Sequence, residues 1–220
     1  MSGERKNPAG SSSTAGRSSN KGQAAASFEL PLGPVPSNRY LTFVSLALVG
    51  FATDLLTKQM LFARLGLPQQ GRYIWVIEDY VGFQTAVNRG ALFGMGEGYW
   101  WLFSLLSVVA AAGIITWLFY FRAAHDWLLT IALGCVMAGI FGNLYDRLGL
   151  WDATGLPPEY EHGVRDWILI RYKQYTWPNF NIADCLLVCG AGMLVLHAWR
   201  GPGVSLSESP PVAAAENRSV

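Results

Sequence analysis

The sequence contains few charged residues. Lys, Arg, Asp and Glu make up 14% of its 220 residues, whereas soluble domains carry about 25%. The mean hydropathy of +0.25 agrees with this deficit, and together they indicate a membrane protein. The net charge is only +1. This argues against a nucleic-acid binder, because such proteins need a strongly positive surface to hold phosphates.

Cysteine is also scarce. The chain contains only Cys135, Cys185 and Cys189, all within apolar runs. Cys185 and Cys189 share a helix face and could be combined with His197 as metal ligands. A metal site in a membrane would need more ligands, however, so we interpret the cysteines as small packing residues.

Residues 1–38 have hardly any large apolar side chains. Such a segment cannot bury enough surface to offset its chain entropy, so we predict a disordered tail. The segment also lacks the apolar stretch of a cleavable signal peptide. We assign 39–200 to one folded membrane domain and 201–220 to a second disordered tail.

Four apolar runs are long enough to cross a membrane. They are residues 40–62, 99–121, 127–145 and 180–199. An even number of spans places both termini on one side of the membrane and the loops 63–98 and 146–179 on the other. Lys and Arg are equally numerous on the two sides. Because basic residues directly precede the first span, we predict cytoplasmic termini.

The two long loops have different sequence patterns. In residues 72–87, β-branched and aromatic residues alternate loosely with polar ones, which predicts two or three short strands. The prolines and aromatics of the second loop indicate ordered turns at the membrane interface. The predicted fold class is therefore an all-α integral membrane protein of four transmembrane helices, with a small β-sheet in the first extracytoplasmic loop.

Polar residues lie near one end of each of three spans. Asp54 and Lys58 have the i, i+4 spacing of an intrahelical ion pair, which lowers the cost of placing charge in a bilayer. Asn143, Asp146 and Arg147 share one helix face. Asn181 and Asp184 share a face at the start of the last span. With alternating helix directions, all of these side chains, and Asn88 in the first loop, belong to one layer near the outer leaflet.

Asp146 and Asp184 are a candidate carboxylate pair. Two acids close enough to share a proton cannot both ionise cheaply, so one can act as a base and the other as an acid. The opposed helix ends predict that Asp146 holds the shared proton. From the residues alone, a network that only ties helices together and a proton-relay transporter remain as open as an enzyme.

Five motifs identify a possible family. They are DLLTK at 54–58, NRGALFG at 88–94, AGIFGNLYDR at 138–147, VRDW at 164–167 and FNIAD at 180–184. Because these motifs occur in this order, the chain resembles the lipoprotein signal peptidases (signal peptidase II), which are four-helix intramembrane aspartic endopeptidases. A transporter should instead show internal repeats or helices broken near the midplane, and the sequence has no repeat.

The resemblance implies a function and a set of site residues. The catalytic pair would be Asp146 and Asp184. The residues that line or support the site would be Asp54, Lys58, Asn88, Gly90, Gly139, Asn143, Arg147, Asn181 and Ala183. The substrate would be a diacylglyceryl-modified prolipoprotein, cut just before its lipidated cysteine. The resemblance also implies a monomer in the bacterial inner membrane, in contact with phospholipid, with no metal or organic cofactor and no nucleic acid.

The chain departs from the family pattern in two places. The segment LGLWDATGLPPEYEHG, residues 148–163, is longer than the short link expected after GNLYDR. The rim of the site should therefore differ here. The long N-terminal tail is the second departure.

Overall fold

The computed structural model describes residues 33–90 and 95–200. Four long helices fall on the four apolar runs: α1 Ser37–Leu65, α2 Trp100–Ile115, α3 Trp127–Arg147 and α4 Ile182–Arg200. The chain continues from α2 into a π-helical turn, Thr116–Tyr120. Each of the four segments is long and apolar enough to cross a membrane. The predicted four-helix membrane fold is confirmed.

The start of α3 has a clear local cause. Asp126 caps α3, because its side chain accepts a hydrogen bond from the Leu129 N–H at 2.8 Å and so satisfies one of the free amides of the first turn. Before α1, Val35 is only 8% exposed and belongs to the apolar core with Phe43. The packed core therefore includes residues before position 39, the predicted start of the membrane domain. The rest of the predicted N-terminal tail and the predicted C-terminal tail, 201–220, lie outside the described residues.

The sheet is larger than predicted. Four antiparallel strands lie in the order β1 Tyr73–Ile77, β2 Val81–Asn88, β3 Val164–Tyr172 and β4 Tyr175–Phe180. The first two strands come from the first loop as expected, but β3 and β4 come from the second loop, which was wrongly predicted to form only turns. The sequence of the β3–β4 hairpin lacks the usual turn signal. The left-handed position in this turn, which Gly or Asn normally occupies, is occupied by Lys173 (φ 55°).

Helix α3 lies at the centre of the fold, packed between α1 and α4. Met137 and Ala138 on α3 are almost completely buried. Gly139 lets α4 approach closely, since a Cβ at this position would lie 2.5 Å from the Ala183 carbonyl oxygen. The packing brings the end of α3 and the start of α4 together, with the sheet beside them.

Candidate active site

Four charged side chains form the buried charge cluster: Asp54, Lys58, Asp146 and Arg165. The Lys58 ammonium nitrogen lies 2.7 Å from Asp54 Oδ2 and 3.0 Å from Asp146 Oδ2, and all three side chains are completely buried. Arg165 is 3% exposed. The two acids and the two bases balance, which is what a buried set of charges requires.

Asp146 is fully engaged within this cluster. Its Oδ1 accepts hydrogen bonds from Arg165 Nε at 3.0 Å and Nη2 at 2.8 Å. Its Oδ2 accepts one from the Arg165 backbone N–H at 2.9 Å and faces Lys58. Each Asp146 oxygen therefore already has two donors, one pair from the Arg165 guanidinium and the other from the Arg165 backbone and Lys58.

Asp54 connects the cluster to α4. Its Oδ1 accepts a hydrogen bond from the Ala183 N–H at 2.9 Å, which satisfies one of the free amides at the start of that helix. A Cβ at position 142 would lie 2.5 Å from Asp54 Oδ2. Gly142 therefore leaves room for the Asp54 carboxylate to reach α4.

Asn181 and Asp184 cap the start of α4 reciprocally. The Asp184 N–H donates to Asn181 Oδ1 at 3.0 Å, and the Asn181 N–H donates to Asp184 Oδ2 at 3.2 Å. This is the hydrogen-bond pattern of a capping box, and it explains the spacing within FNIAD. The same two side chains also face the polar layer.

Two asparagines connect Asp184 to a second acid, Asp166, on β3. Asn143 Nδ2 donates to Asp184 Oδ1 at 2.8 Å. Asn181 Nδ2 donates to Asp166 Oδ1 at 2.7 Å and to Asn143 Oδ1 at 3.1 Å. The two carboxyl groups are therefore held in one hydrogen-bonded network.

Asp166 and Asp184 face the same cavity, which has a volume of about 640 Å³. Its other polar lining includes Asn88, Asn143 and Arg147, and its apolar lining includes Ile140, Leu187, Val188, Trp177 and Phe180. Asp146 does not line this cavity. Of the two acids predicted to react, only Asp184 is in contact with it, and this placement argues against the predicted role of Asp146.

Burial, together with the neighbouring Asp184 carboxyl group, raises the pKa of Asp166 well above its usual value. Lys58 and the hydrogen bond from Asn181 act in the opposite direction. A carboxyl group with a raised pKa keeps its proton over a wider pH range and can serve as an acid. Asp166 therefore has the electrostatics that the sequence analysis assigned to Asp146.

Asp166 was not predicted as a site residue, although it lies in the VRDW motif. The available signal was a single acid entering the apolar run WILI. Since β3 was not predicted, nothing indicated which face of a strand this acid would occupy. Asp166 is 3% exposed in the folded chain.

The remaining predicted site residues lie around the same network. Gly139 lines the cavity, and Ala183 is completely buried. The Gly90 N–H donates to Asn88 Oδ1 at 3.0 Å. The Arg147 guanidinium lies 5.4 Å from the centre of the Phe103 ring. In residues 33–90 and 95–200, no group of three or more His, Cys, Asp or Glu side chains is placed to hold a metal ion.

Four helices that can span a membrane, together with a buried polar layer beside a cavity that two carboxyl groups face, define a multi-pass membrane protein with an enzyme-like site. Two solved structures, both described as bacterial membrane enzymes determined by the in meso method, have a similar fold. One aligns with a TM-score of 0.62 and 21% identity, over 76% of this chain and 93% of its own. The other has a TM-score of 0.59 and 22% identity, over 73% and 94%.

Sequence comparison identifies the family. Residues 46–200 match the family described as signal peptidase (SPase) II. The lipoprotein signal peptidase of Rhodopirellula baltica is 48% identical over 200 residues, which cover 90% of this chain and 85% of the relative. That of Pseudomonas aeruginosa is 33% identical over 165 residues, 73% of this chain and 89% of the relative. The chain belongs to the signal peptidase II family.

This membership confirms the family predicted from the five motifs. The protein is a peptidase and a multi-pass bacterial membrane protein. A transporter or a membrane protein without enzymatic activity, the alternatives left open by the sequence, is not favoured.

Proposed function

We propose that this protein is an aspartic endopeptidase that removes the signal peptide from diacylglyceryl-modified prolipoproteins, with Asp166 and Asp184 as the reacting pair. One observation carries this assignment: the two carboxyl groups face one cavity and are joined through Asn143 and Asn181. Asp146 does not line the cavity and supports the site through its contacts with Lys58 and Arg165. The relatives named lipoprotein signal peptidase supply the reaction class and the substrate class.

The arrangement suits the hydrolysis of a peptide bond by an activated water molecule. Asp184 accepts hydrogen bonds on both oxygens, as suits a carboxylate that takes a proton from water. Asp166, with its raised pKa, donates a proton to the carbonyl oxygen of the substrate as water attacks the carbonyl carbon. When the tetrahedral intermediate breaks down, the departing nitrogen takes a proton from the pair.

The cavity lining suits a lipid-modified substrate. Ile140, Leu187 and Val188 provide an apolar wall between α3 and α4 that can contact acyl chains or an apolar signal peptide. Arg147 and Asn88 lie on the same lining, and they provide hydrogen-bonding groups for a peptide backbone. Cleavage takes place just before the lipidated cysteine, where the acyl chains are attached.

The even number of spans places both termini on one side of the membrane, and the basic residues that directly precede the first span favour the cytoplasm as that side. Both termini lie in the cytoplasm, and the acid pair and the sheet lie near the outer leaflet of the bacterial inner membrane, in contact with phospholipid.

The test is cleavage of a diacylglyceryl-modified prolipoprotein by the purified full chain, followed as a shift on a gel. Asp166→Asn and Asp184→Asn should each lower turnover by at least about 10²-fold, since general acid–base catalysis contributes 10²–10⁴-fold. The control is Asp79→Asn, at an exposed turn with φ 61°, a conformation that Asn tolerates. Near-normal turnover by Asp166→Asn would refute the acid pair, and turnover of unmodified prolipoprotein at the same rate would refute the substrate class.

A further inference from the structure

Arg165, which directly precedes Asp166, has a set of contacts that the proposed chemistry does not use. Its guanidinium group makes two hydrogen bonds to Asp146 Oδ1, and its backbone N–H makes one to Oδ2. Its carbonyl oxygen accepts a hydrogen bond from Asn181 Nδ2 at 3.4 Å. Both the side chain and the backbone of this residue are therefore fixed, on one side by α3 and on the other by the start of α4.

The alternation of β3 makes this fixation relevant to the acid pair. Val164 and Asp166 line the cavity, whereas Arg165 points to the buried charge cluster on the opposite face. Side chains alternate between the two faces of a strand. A shift of one residue would therefore turn Arg165 to the cavity face and Asp166 to the face of the charge cluster. The Arg165–Asp146 contact makes such a shift costly, because it would place a guanidinium in the cavity and a second acid beside Asp146.

The extra segment, residues 148–163, covers the far side of this contact. Its Trp151 is 8% exposed, and the Arg165 guanidinium carbon lies 5.2 Å from the centre of its ring. The Trp151 ring packs edge-on against Phe62 of α1 at 6.0 Å. Trp151 thereby shields the charge cluster from water, and electrostatic contacts shielded from water are stronger.

We propose that Arg165 is a positioning residue for the reaction: clamped on Asp146 and covered by Trp151, it fixes the register of β3 so that Asp166 faces Asp184. This inference rests on the proposed acid pair. It also gives Asp146 a function, that of the anchor for the clamp. The extra segment contributes to the site through Trp151, without lining the cavity.

Arg165 also neutralises a buried acid, Asp146. A role of Arg165 in charge balance alone predicts a different result from a role in positioning Asp166. Arg165→Met alone leaves the cluster with one excess negative charge and should lower the melting temperature. The double variant Arg165→Met with Asp146→Asn restores neutrality between Asp54 and Lys58. If charge balance were the whole role of Arg165, this double variant would recover both stability and turnover.

We expect the double variant to recover the melting temperature but not the turnover. Its kcat should stay about 10- to 100-fold below that of the unmodified chain, because a displacement of about 1 Å can cost 10²-fold. KM should change little. The pH range of high kcat/KM should also narrow at its alkaline end, because the Asp184 carboxyl group raises the pKa of a displaced Asp166 less.

The matched control is Arg171→Met, on the same strand, whose guanidinium carbon lies 5.0 Å from the centre of the Trp75 ring. This variant should keep both kcat and the width of the pH profile. Asp166→Asn is measured in the same assay. An inactive Asp166→Asn together with a fully active double variant would overturn the role of Arg165 alone. An active Asp166→Asn would overturn both the acid pair and the positioning role.

Discussion

Asp146 and Asp166 show how neighbouring contacts separate two acids that look alike in sequence. Two basic side chains, Lys58 and Arg165, contact the Asp146 oxygens. Asp166 receives a hydrogen bond from the neutral Asn181 amide and faces the cavity. Asp146 is therefore held by positively charged groups, whereas Asp166 is held by a neutral donor at the wall of the cavity.

The raised pKa of Asp166 predicts the sign of a stability effect. The folded chain binds this proton more tightly than the unfolded chain, in which an Asp pKa is about 3.9. The contribution of Asp166 to stability is therefore present below the unfolded pKa and is lost as the pH rises through the folded pKa. Asp166→Asn avoids this loss, so we expect a higher melting temperature than that of the unmodified chain at pH 8, with the difference shrinking towards pH 4.

Thermal unfolding of both proteins in detergent across this pH range would measure the effect. The control is Asp152→Asn, because hydrogen bonds from Thr154 lower the pKa of the exposed Asp152. Its small effect should have the opposite sign, with the variant less stable at neutral pH and the difference closing as the pH falls. A stability difference for Asp166→Asn that does not vary with pH would contradict the prediction.

At the scale of whole elements, the approach of α3 to its neighbours depends on glycine. A Cβ at position 139 would lie 2.5 Å from the Ala183 carbonyl oxygen, and one at position 142 would lie 2.5 Å from Asp54 Oδ2. Real Cβ atoms do not approach other heavy atoms so closely. Gly139 and Gly142 therefore lie on the face of α3 that contacts the charge cluster and the start of α4.

Gly142→Ala should be strongly destabilising and should reduce turnover. The added methyl group displaces the Asp54 carboxylate, which then loses its hydrogen bond to the Ala183 N–H. Overpacking typically costs about 1–3 kcal/mol, and a lost hydrogen bond to a charged group adds about 1.5–3 kcal/mol. The measurement is the melting temperature together with kcat.

The matched control is Gly113→Ala in α2, where an added Cβ would meet no atom within 4 Å. Alanine in an open helix position should stabilise by up to about 1 kcal/mol. If Gly142→Ala and Gly113→Ala behaved alike, close packing at Gly142 would not be important for the site.

At the scale of the whole molecule, the polar groups are divided between the two ends of the helices. The sheet, the charge cluster and the acid pair lie at one end. At the other end, Arg39 donates to the Ala124 carbonyl at 3.1 Å and its guanidinium carbon lies 3.4 Å from the centre of the Trp127 ring. Arg122 and Arg200 lie at the same end. Because Lys and Arg are equally numerous on the two sides, the prediction of cytoplasmic termini rests on the basic residues that directly precede the first span.

This distribution predicts the orientation in the membrane. A single added cysteine at residue 79, in the β1–β2 turn, should react in intact cells with a thiol reagent that cannot cross the inner membrane. A cysteine at residue 123, between α2 and α3, should react only after the membrane is opened. Both would be introduced with Cys135, Cys185 and Cys189 replaced by alanine, and the reverse labelling pattern would show the opposite orientation.

The local sequence determined the positions of the four membrane spans and the pairing of neighbouring polar residues within the helices. Hydropathy located the four spans, because each helix must present about 20 apolar residues to lipid. Helical spacing also placed Asp54 beside Lys58 and Asn181 beside Asp184, because residues three or four apart share a helix face. The five motifs identified the family without any knowledge of the fold.

Only the tertiary structure decided which acids face the cavity. Asp166 lies on β3, which pairs with β2 from the other long loop, and its face depends on a register that no local pattern fixes. Arg165 reaches Asp146 across 19 residues of chain, so the neutralisation of Asp146 depends on the fold of the segment between them. Local spacing placed acids in one polar layer, but long-range contacts decided which acid joined the buried charge cluster and which acid faced the cavity.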